Sequence, residues 1–146
     1  KKDDSLRIIQ FHSNDTGKPL YIDNLEDLLT DISTNDLKSK DKVQFIYSGN
    51  NEFPYDSREQ WTDSCNLLAL KEGVVLGYDR NDKTTEAFRS HGFTITEARE
   101  MIDSLENGTI TPDKVKDTLI LIPSAELSRA RGGFHCMSMP LLREEI

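Results

Sequence analysis

The sequence predicts an α/β fold, and three observations carry that prediction. Short runs rich in valine, isoleucine and leucine alternate with segments whose apolar residues recur at helical spacing. Glycine, asparagine and proline punctuate the boundaries between them. The order is a repeating strand, strand, helix, strand pattern, clearest from residue 66 to 122, and no sequence repeat of fixed period accompanies it.

The first predicted strand is Leu6-Arg7-Ile8-Ile9-Gln10-Phe11. Turn residues fill 14–18, and Pro19 opens a short extended piece that ends at 22. Asp23 stands where a cap belongs, with Glu26 at the capping-box position. Leu25, Leu28, Leu29 and Ile32 follow at helical spacing, so 24–33 is a predicted helix. A polar, lysine-rich stretch covers 33–42, then 43–47 reads as a buried strand and 48–58 as a Gly/Asn/Pro loop. Glu59-Gln60-Trp61-Thr62-Asp63 leads into a strand at 66–70. Lys71-Glu72-Gly73 is a hairpin-like turn before a strand at 74–78. A helix starts at Asp82 and runs through Arg89, with Gly92 ending it at the C′ position. After an extended piece at 93–95, Thr96 caps a helix over 97–106 that Gly108 stops. The polar segment 96–117 reads as a surface insertion. A strand at 119–122, one helical turn at 124–127, and a last strand at 135–141 complete the chain.

With 146 residues and no marked internal boundary, 1–146 is expected to be a single domain. The net charge of −8 argues against nucleic acid as a partner, because phosphates demand a basic face. It allows a cationic small substrate without requiring one. No apolar run approaches the roughly 20 residues of a membrane helix, so no membrane partner is expected. The start, Lys1-Lys2-Asp3-Asp4-Ser5, has neither an initiator Met nor the apolar region of a signal peptide. The expectation is a processed or excised piece of a longer chain. The cysteines, Cys65 and Cys136, are too few and too far apart for a disulfide scaffold, which points to a reducing, cytoplasmic compartment. Histidines at 12, 91 and 135 show no zinc-ligand spacing, and Gly73 and Gly77 do not fit a phosphate-binding loop. No cofactor is expected.

The densest chemistry lies in Arg131-Gly132-Gly133-Phe134-His135-Cys136-Met137-Ser138-Met139-Pro140. A cysteine is a nucleophile once it is a thiolate, and an arginine grips carboxylates with a planar fork. Gly132 and Gly133 permit close backbone approach to a ligand, or simply a turn. On a strand, alternation puts Cys136 and Ser138 on one face and His135, Met137 and Met139 on the other. That removes His135 as the base for Cys136. The bland readings are a buried structural cysteine and an ion-paired arginine. Arg129 reads as a rim residue. His12 with Asp15 reads as loop chemistry, His91 as a dipole partner at a helix end, Asp63 as the holder of a backbone turn, and Cys65 as packing.

That segment resembles the catalytic segment of arginine deiminases. Glu59-Gln60-Trp61-Thr62-Asp63-Ser64-Cys65-Asn66-Leu67-Leu68-Ala69-Leu70 is similar to the family's Trp-x-Asp-x-x-Asn stretch. Gly73-Val74-Val75-Leu76-Gly77-Tyr78-Asp79-Arg80-Asn81 is similar to its hairpin strand and turn. The three occur in family order, and the resemblance covers roughly 43–146. It implies a partial α/β propeller, about two strand-strand-helix-strand modules of a five-module fold. It implies a hydrolase that converts L-arginine to citrulline and ammonia, with Cys136 as nucleophile through a covalent thiouronium. Arg131 would bind the substrate carboxylate, and Gly132 and Gly133 would bend the backbone close to it. The family's His-x-Asp motif has no match here; His12-Ser13-Asn14-Asp15 is offset from it. The expectation is therefore the C-terminal portion of such an enzyme, inactive alone. It would pack against the missing N-terminal portion or self-associate. An amidinotransferase-like relative and a non-catalytic binding or assembly domain are the alternatives.

Overall fold

The computed structural model of the chain describes residues 8–11, 17, 19–124 and 127–142. They form two compact units, one running to Phe45 and one starting at Ile46. No shift in composition announces that division.

In the first unit, β1 (Ile8–Gln10) pairs antiparallel with β2 (Leu20–Ile22), Ile9 opposite Tyr21. The helix α1 (Leu25–Asp31) has its N-cap at Asn24, one residue later than Asp23. The reason is a reciprocal pair. The Asn24 side chain accepts from the Asp27 N–H at 2.8 Å, and its amide donates back to the Asp27 carboxylate. A π-helical turn, Ile32–Asp36, continues α1 into the polar, lysine-rich stretch.

Residues 43–47 are not a strand. Their composition suits a sheet, but a strand needs a ladder partner. Ile46 instead packs as irregular chain on the cluster around Phe88. The loop expected at 48–58 also holds more structure: a 3-10 turn at Ser48–Asn51, then helix α2 (Tyr55–Gln60). α2 has no apolar stripe. It is held by Glu59, only 3% exposed, whose carboxylate reaches the N-terminus of the next helix. Lys83 N and Thr84 N donate to it at 2.9 and 2.8 Å, and the Thr84 hydroxyl does so at 2.7 Å. A carboxylate there satisfies orphan donors and complements the helix dipole.

The sheet of the second unit has the order β3 (Leu68–Lys71), β4 (Val74–Tyr78), β6 (Thr118–Ile122), β5 (Thr94–Glu97). β3 and β4 are an antiparallel hairpin through Gly73, at φ +69°. β4, β6 and β5 run parallel, which requires crossovers. Helices α3 (Asp82–Ser90) and α4 (Ala98–Glu106) supply them. Alternation along β6 sorts the core. Ile120 faces Val74, Val115, Ala98 and Met101 on the α4 side, while Leu119 and Leu121 face Phe88 of α3 on the other. The four-stranded sheet is open, with β3 and β5 at its edges. The α/β class is therefore present.

Gly92 ends α3 as expected. With φ +90°, it lets Phe93 N bond Phe88 O and Gly92 N bond Arg89 O, both at 3.1 Å, and the Phe88 and Phe93 rings meet edge to face. α4 ends in the same way at Gly108, but its N-cap is Glu97, the last residue of β5, rather than Thr96. Segment 96–117 is no surface insertion: it supplies part of β5, all of α4, and the core residues Ala98, Met101, Ile110 and Val115. The helical turn expected at 124–127 lies at Leu127–Ala130. No described helix is long and apolar enough to cross a membrane.

Candidate active site

Two segments far apart in sequence meet at the end of β4. The first is the turn after α2, over 61–66. Thr62 N and Ser64 N both bond Glu59 O at 3.1 Å, and Asp63 takes a φ of +56°. The second is 131–138. Arg131 has φ +62° and Gly132 φ +130°, so the chain turns here. Met137 N then bonds Gly133 O, and Ser138 N bonds His135 O.

The strand expected over 135–141 is thus a turn, and the alternation argument that separated Cys136 from His135 does not apply. What holds the segment is docking rather than a ladder. Gly132 N donates to Asp63 Oδ2 at 3.1 Å, and the Tyr78 hydroxyl donates to Gly132 O at 2.9 Å. The Tyr78 and Phe134 rings sit 4.5 Å apart. Asn66 Nδ2 donates to Cys136 Sγ at 2.8 Å and lies 3.5 Å from Asp63 Oδ1. Gly133 is required by close approach: a Cβ there would overlap the Asn66 carbonyl oxygen and come within 2.6 Å of Asn66 Cβ.

Four consecutive residues, from the last of β4 onward, tie this region together. Tyr78 holds Gly132. Asp79 Oδ1 accepts from Ser124 N and Oγ at 3.2 and 3.1 Å. Arg80 Nη1 donates to Ser128 Oγ at 2.7 Å, which fixes the helical turn leading to Arg131. Asn81 exchanges hydrogen bonds with Thr62, its Nδ2 donating to Thr62 O at 3.2 Å and its Oδ1 accepting from the Thr62 hydroxyl.

A cavity of about 340 Å³ lies between the segments, lined by Gln60, Trp61, Asp63 and Arg131. The Arg131 guanidinium stacks 3.9 Å over the Trp61 ring. Stacking uses the guanidinium face and leaves its N–H edge for an acceptor. Burial holds the Tyr78 hydroxyl above its ordinary value near 10, and the charges of Asp63 and Cys136 push the same way. Tyr78 therefore remains a protonated donor throughout the neutral range. The site can thus offer an exposed thiol with an N–H donor beside it, a carboxylate, and a guanidinium on an aromatic face.

Of the residues singled out from sequence, Arg131, Gly132, Gly133 and Cys136 come together on this turn, with Asp63 bonded to Gly132. His91 is elsewhere, its Nδ1 within 2.8 Å of Ala87 O at the end of α3. Arg129 lines a separate cavity with Asp79, Arg80, Pro123 and Ser124. Cys65 is exposed rather than packed. His12 and Asp15 lie outside the described residues. Asn66 and Tyr78 were not singled out as site residues; Asn66 closes the Trp-x-Asp-x-x-Asn stretch and Tyr78 stands in the hairpin segment of the resemblance. Among the described residues no cluster of three His, Cys, Asp or Glu side chains is placed to hold a metal ion.

The family model for arginine deiminase matches residues 1–143. The match therefore reaches into 1–42, where the motifs do not. The chain is similar to the arginine deiminase of Oenococcus oeni, 36% identical over 121 residues, 78% of this chain and 23% of that protein. It is 35% identical to that of Staphylococcus epidermidis over 106 residues, 73% of this chain and 20% of the relative. Against that of Staphylococcus aureus strain JH9 it is 32% identical over 149 aligned residues, 100% of this chain and 29% of the relative. The chain thus spans between a fifth and three-tenths of the length of these relatives.

Proposed function

Because the chain belongs to the arginine deiminase family, we propose that the full protein carrying it converts L-arginine to citrulline and ammonia. Residues 1–146 are then part of one catalytic domain, the C-terminal portion, built as about two modules of an α/β propeller. The observation that carries this reading is the docking of the 131–138 turn onto Asp63, Asn66 and Tyr78. It leaves the Cys136 thiol exposed on the same turn as Arg131, which lines the cavity.

A guanidinium is a resonance-stabilised cation and a poor electrophile, so its hydrolysis calls for a strong nucleophile in place. The Cys136 thiolate attacks the guanidinium carbon and a C–S bond forms. A C–N bond breaks, and ammonia leaves with that electron pair and a proton. Water then adds to the same carbon, the C–S bond breaks, and citrulline departs while the thiolate is restored. Arg131 presents its N–H edge to the substrate carboxylate. Gly132 and Gly133 let the backbone lie against the ligand. The groups that move protons and hold the guanidinium come from the remainder of the protein, so the isolated 146 residues form no citrulline.

In the full-length protein, Cys136→Ala is expected to reduce citrulline formation by about 10⁴-fold or more. A colorimetric citrulline assay reads it directly. Turnover near the wild-type rate in that variant would sink the proposal. Transfer of the amidino group to an added amine would favour the amidinotransferase alternative.

A further inference from the structure

We infer that Asn66 is a catalytic residue of this site, whose side-chain amide donates to the Cys136 sulfur and aims it for attack. The inference rests on the reading above that Cys136 is the nucleophile. Asn66 Nδ2 lies 2.8 Å from Cys136 Sγ, across 70 positions of sequence. Among the described residues this amide is the sulfur's one side-chain hydrogen-bond partner. An amide N–H can only donate, and a sulfur accepts better as an anion than as a thiol. The amide is therefore a donor aimed at the sulfur that attacks.

The geometry also fixes which end of the amide faces the sulfur. Asp63 Oδ1 sits 3.5 Å from the same Nδ2. Turning the amide over would set its carbonyl oxygen against that carboxylate, so Asp63 selects the orientation that points N–H groups at both neighbours. Asp63 is itself anchored, because its other oxygen takes the Gly132 N–H at 3.1 Å. The rest of the Asn66 side chain has no room to swing. A Cβ on Gly133 would come within 2.6 Å of Asn66 Cβ and 2.7 Å of Cγ, so the two backbones are already in close contact. Gly133 and Cys136 belong to one turn, in which Met137 N bonds Gly133 O. One rigid corner thus positions the donor and its acceptor together. The hydrogen bond takes one lone-pair direction of the sulfur and leaves the others for attack.

The test is the alkylation rate of Cys136 by iodoacetamide in the full-length protein, read by peptide mass spectrometry. It requires no substrate. Asn66→Ala is expected to slow labelling at Cys136 on the order of tenfold, and to lower kcat by a similar factor with KM little changed. Asn66→Asp keeps the side-chain volume but replaces the donor by a charged acceptor. It is expected to slow labelling more than Asn66→Ala does, and it decides the matter if the alanine variant fails to fold. Labelling at the wild-type rate in a folded variant would overturn the inference, as would a raised KM with kcat retained. If labelling falls as expected while the wild-type protein forms no citrulline from arginine, the role of Asn66 toward the sulfur stands and the arginine reading fails.

Discussion

β6 and the turn over 131–138 are both built around apolar residues, yet they are held in opposite ways. β6 is paired on both sides, with β4 and with β5, and its Leu119, Ile120 and Leu121 are buried against helices on both faces. The turn exposes Met137 and rests on a few long-range polar contacts, to Asp63, Asn66 and Tyr78, and on one ring pair. Apolar burial scales with area and is not directional. Hydrogen bonds contribute less net stability but dictate geometry. The scaffold is therefore stable without much precision, and the site is placed with precision at little stability. Regions that carry function are drawn from the low-stability end of a fold for this reason.

Substitutions at the two regions break or sharpen that contrast. Leu119 is 2% exposed, and Leu119→Ala should cost about 3 kcal/mol of global stability in urea unfolding. A loss near zero would mean that β6 is not the keel of the sheet. Glu59→Ala tests the link between the regions. It strands the N–H groups of Lys83 and Thr84 and cuts the side-chain tie between α2 and α3, while the main-chain bonds from Thr62 and Ser64 to Glu59 O stay, and should cost about 2 kcal/mol. If the proposed function holds, citrulline formation by the full-length protein should fall more steeply than stability does. Gly133→Ala forces the turn off Asn66. Strain of about 1–2 kcal/mol should appear locally, as faster hydrogen exchange at the Gly132 and Met137 amides while β6 amides keep their protection. Uniform loss of protection would show that the site and the sheet unfold as one.

The smallest effect belongs to Tyr78→Phe, about 1 kcal/mol from the lost bond to Gly132 O. Its pH dependence is more telling. The Tyr78 proton is held more tightly in the folded state, chiefly by burial. That contribution is fully present below the ordinary tyrosine value of 10.0 and is lost as pH rises through the folded value. Wild-type stability should decline from about pH 10 upward, and thermal melts of Tyr78→Phe should show a shallower decline.

Much of the scaffold was legible. β4 occupies the predicted 74–78, and α3 stops at the glycine expected to stop it, because period-two runs and left-handed glycine caps act over a few residues. The failures are equally physical. Residues 43–47 and 135–141 have strand composition, but neither is in a ladder. α2 has no apolar periodicity and depends on Glu59 reaching 24 positions to Lys83. At the site, Arg131, Gly132, Gly133 and Cys136 were readable because they crowd into six consecutive positions.

By itself the sequence determined the α/β class, the strands of the four-stranded sheet with the helices α3 and α4 between them, and a cysteine beside an arginine and two glycines. All of these follow from side-chain periodicity and backbone preferences that act locally. Only the tertiary structure decided that the cysteine lies on a turn, which amide faces its sulfur, and which carboxylate orients that amide. The hydrogen bonds from Tyr78, Gly132 and Asn66 that dock the turn join residues 54 to 70 positions apart, and no local preference encodes a hydrogen bond whose partner arrives only when the sheet has formed.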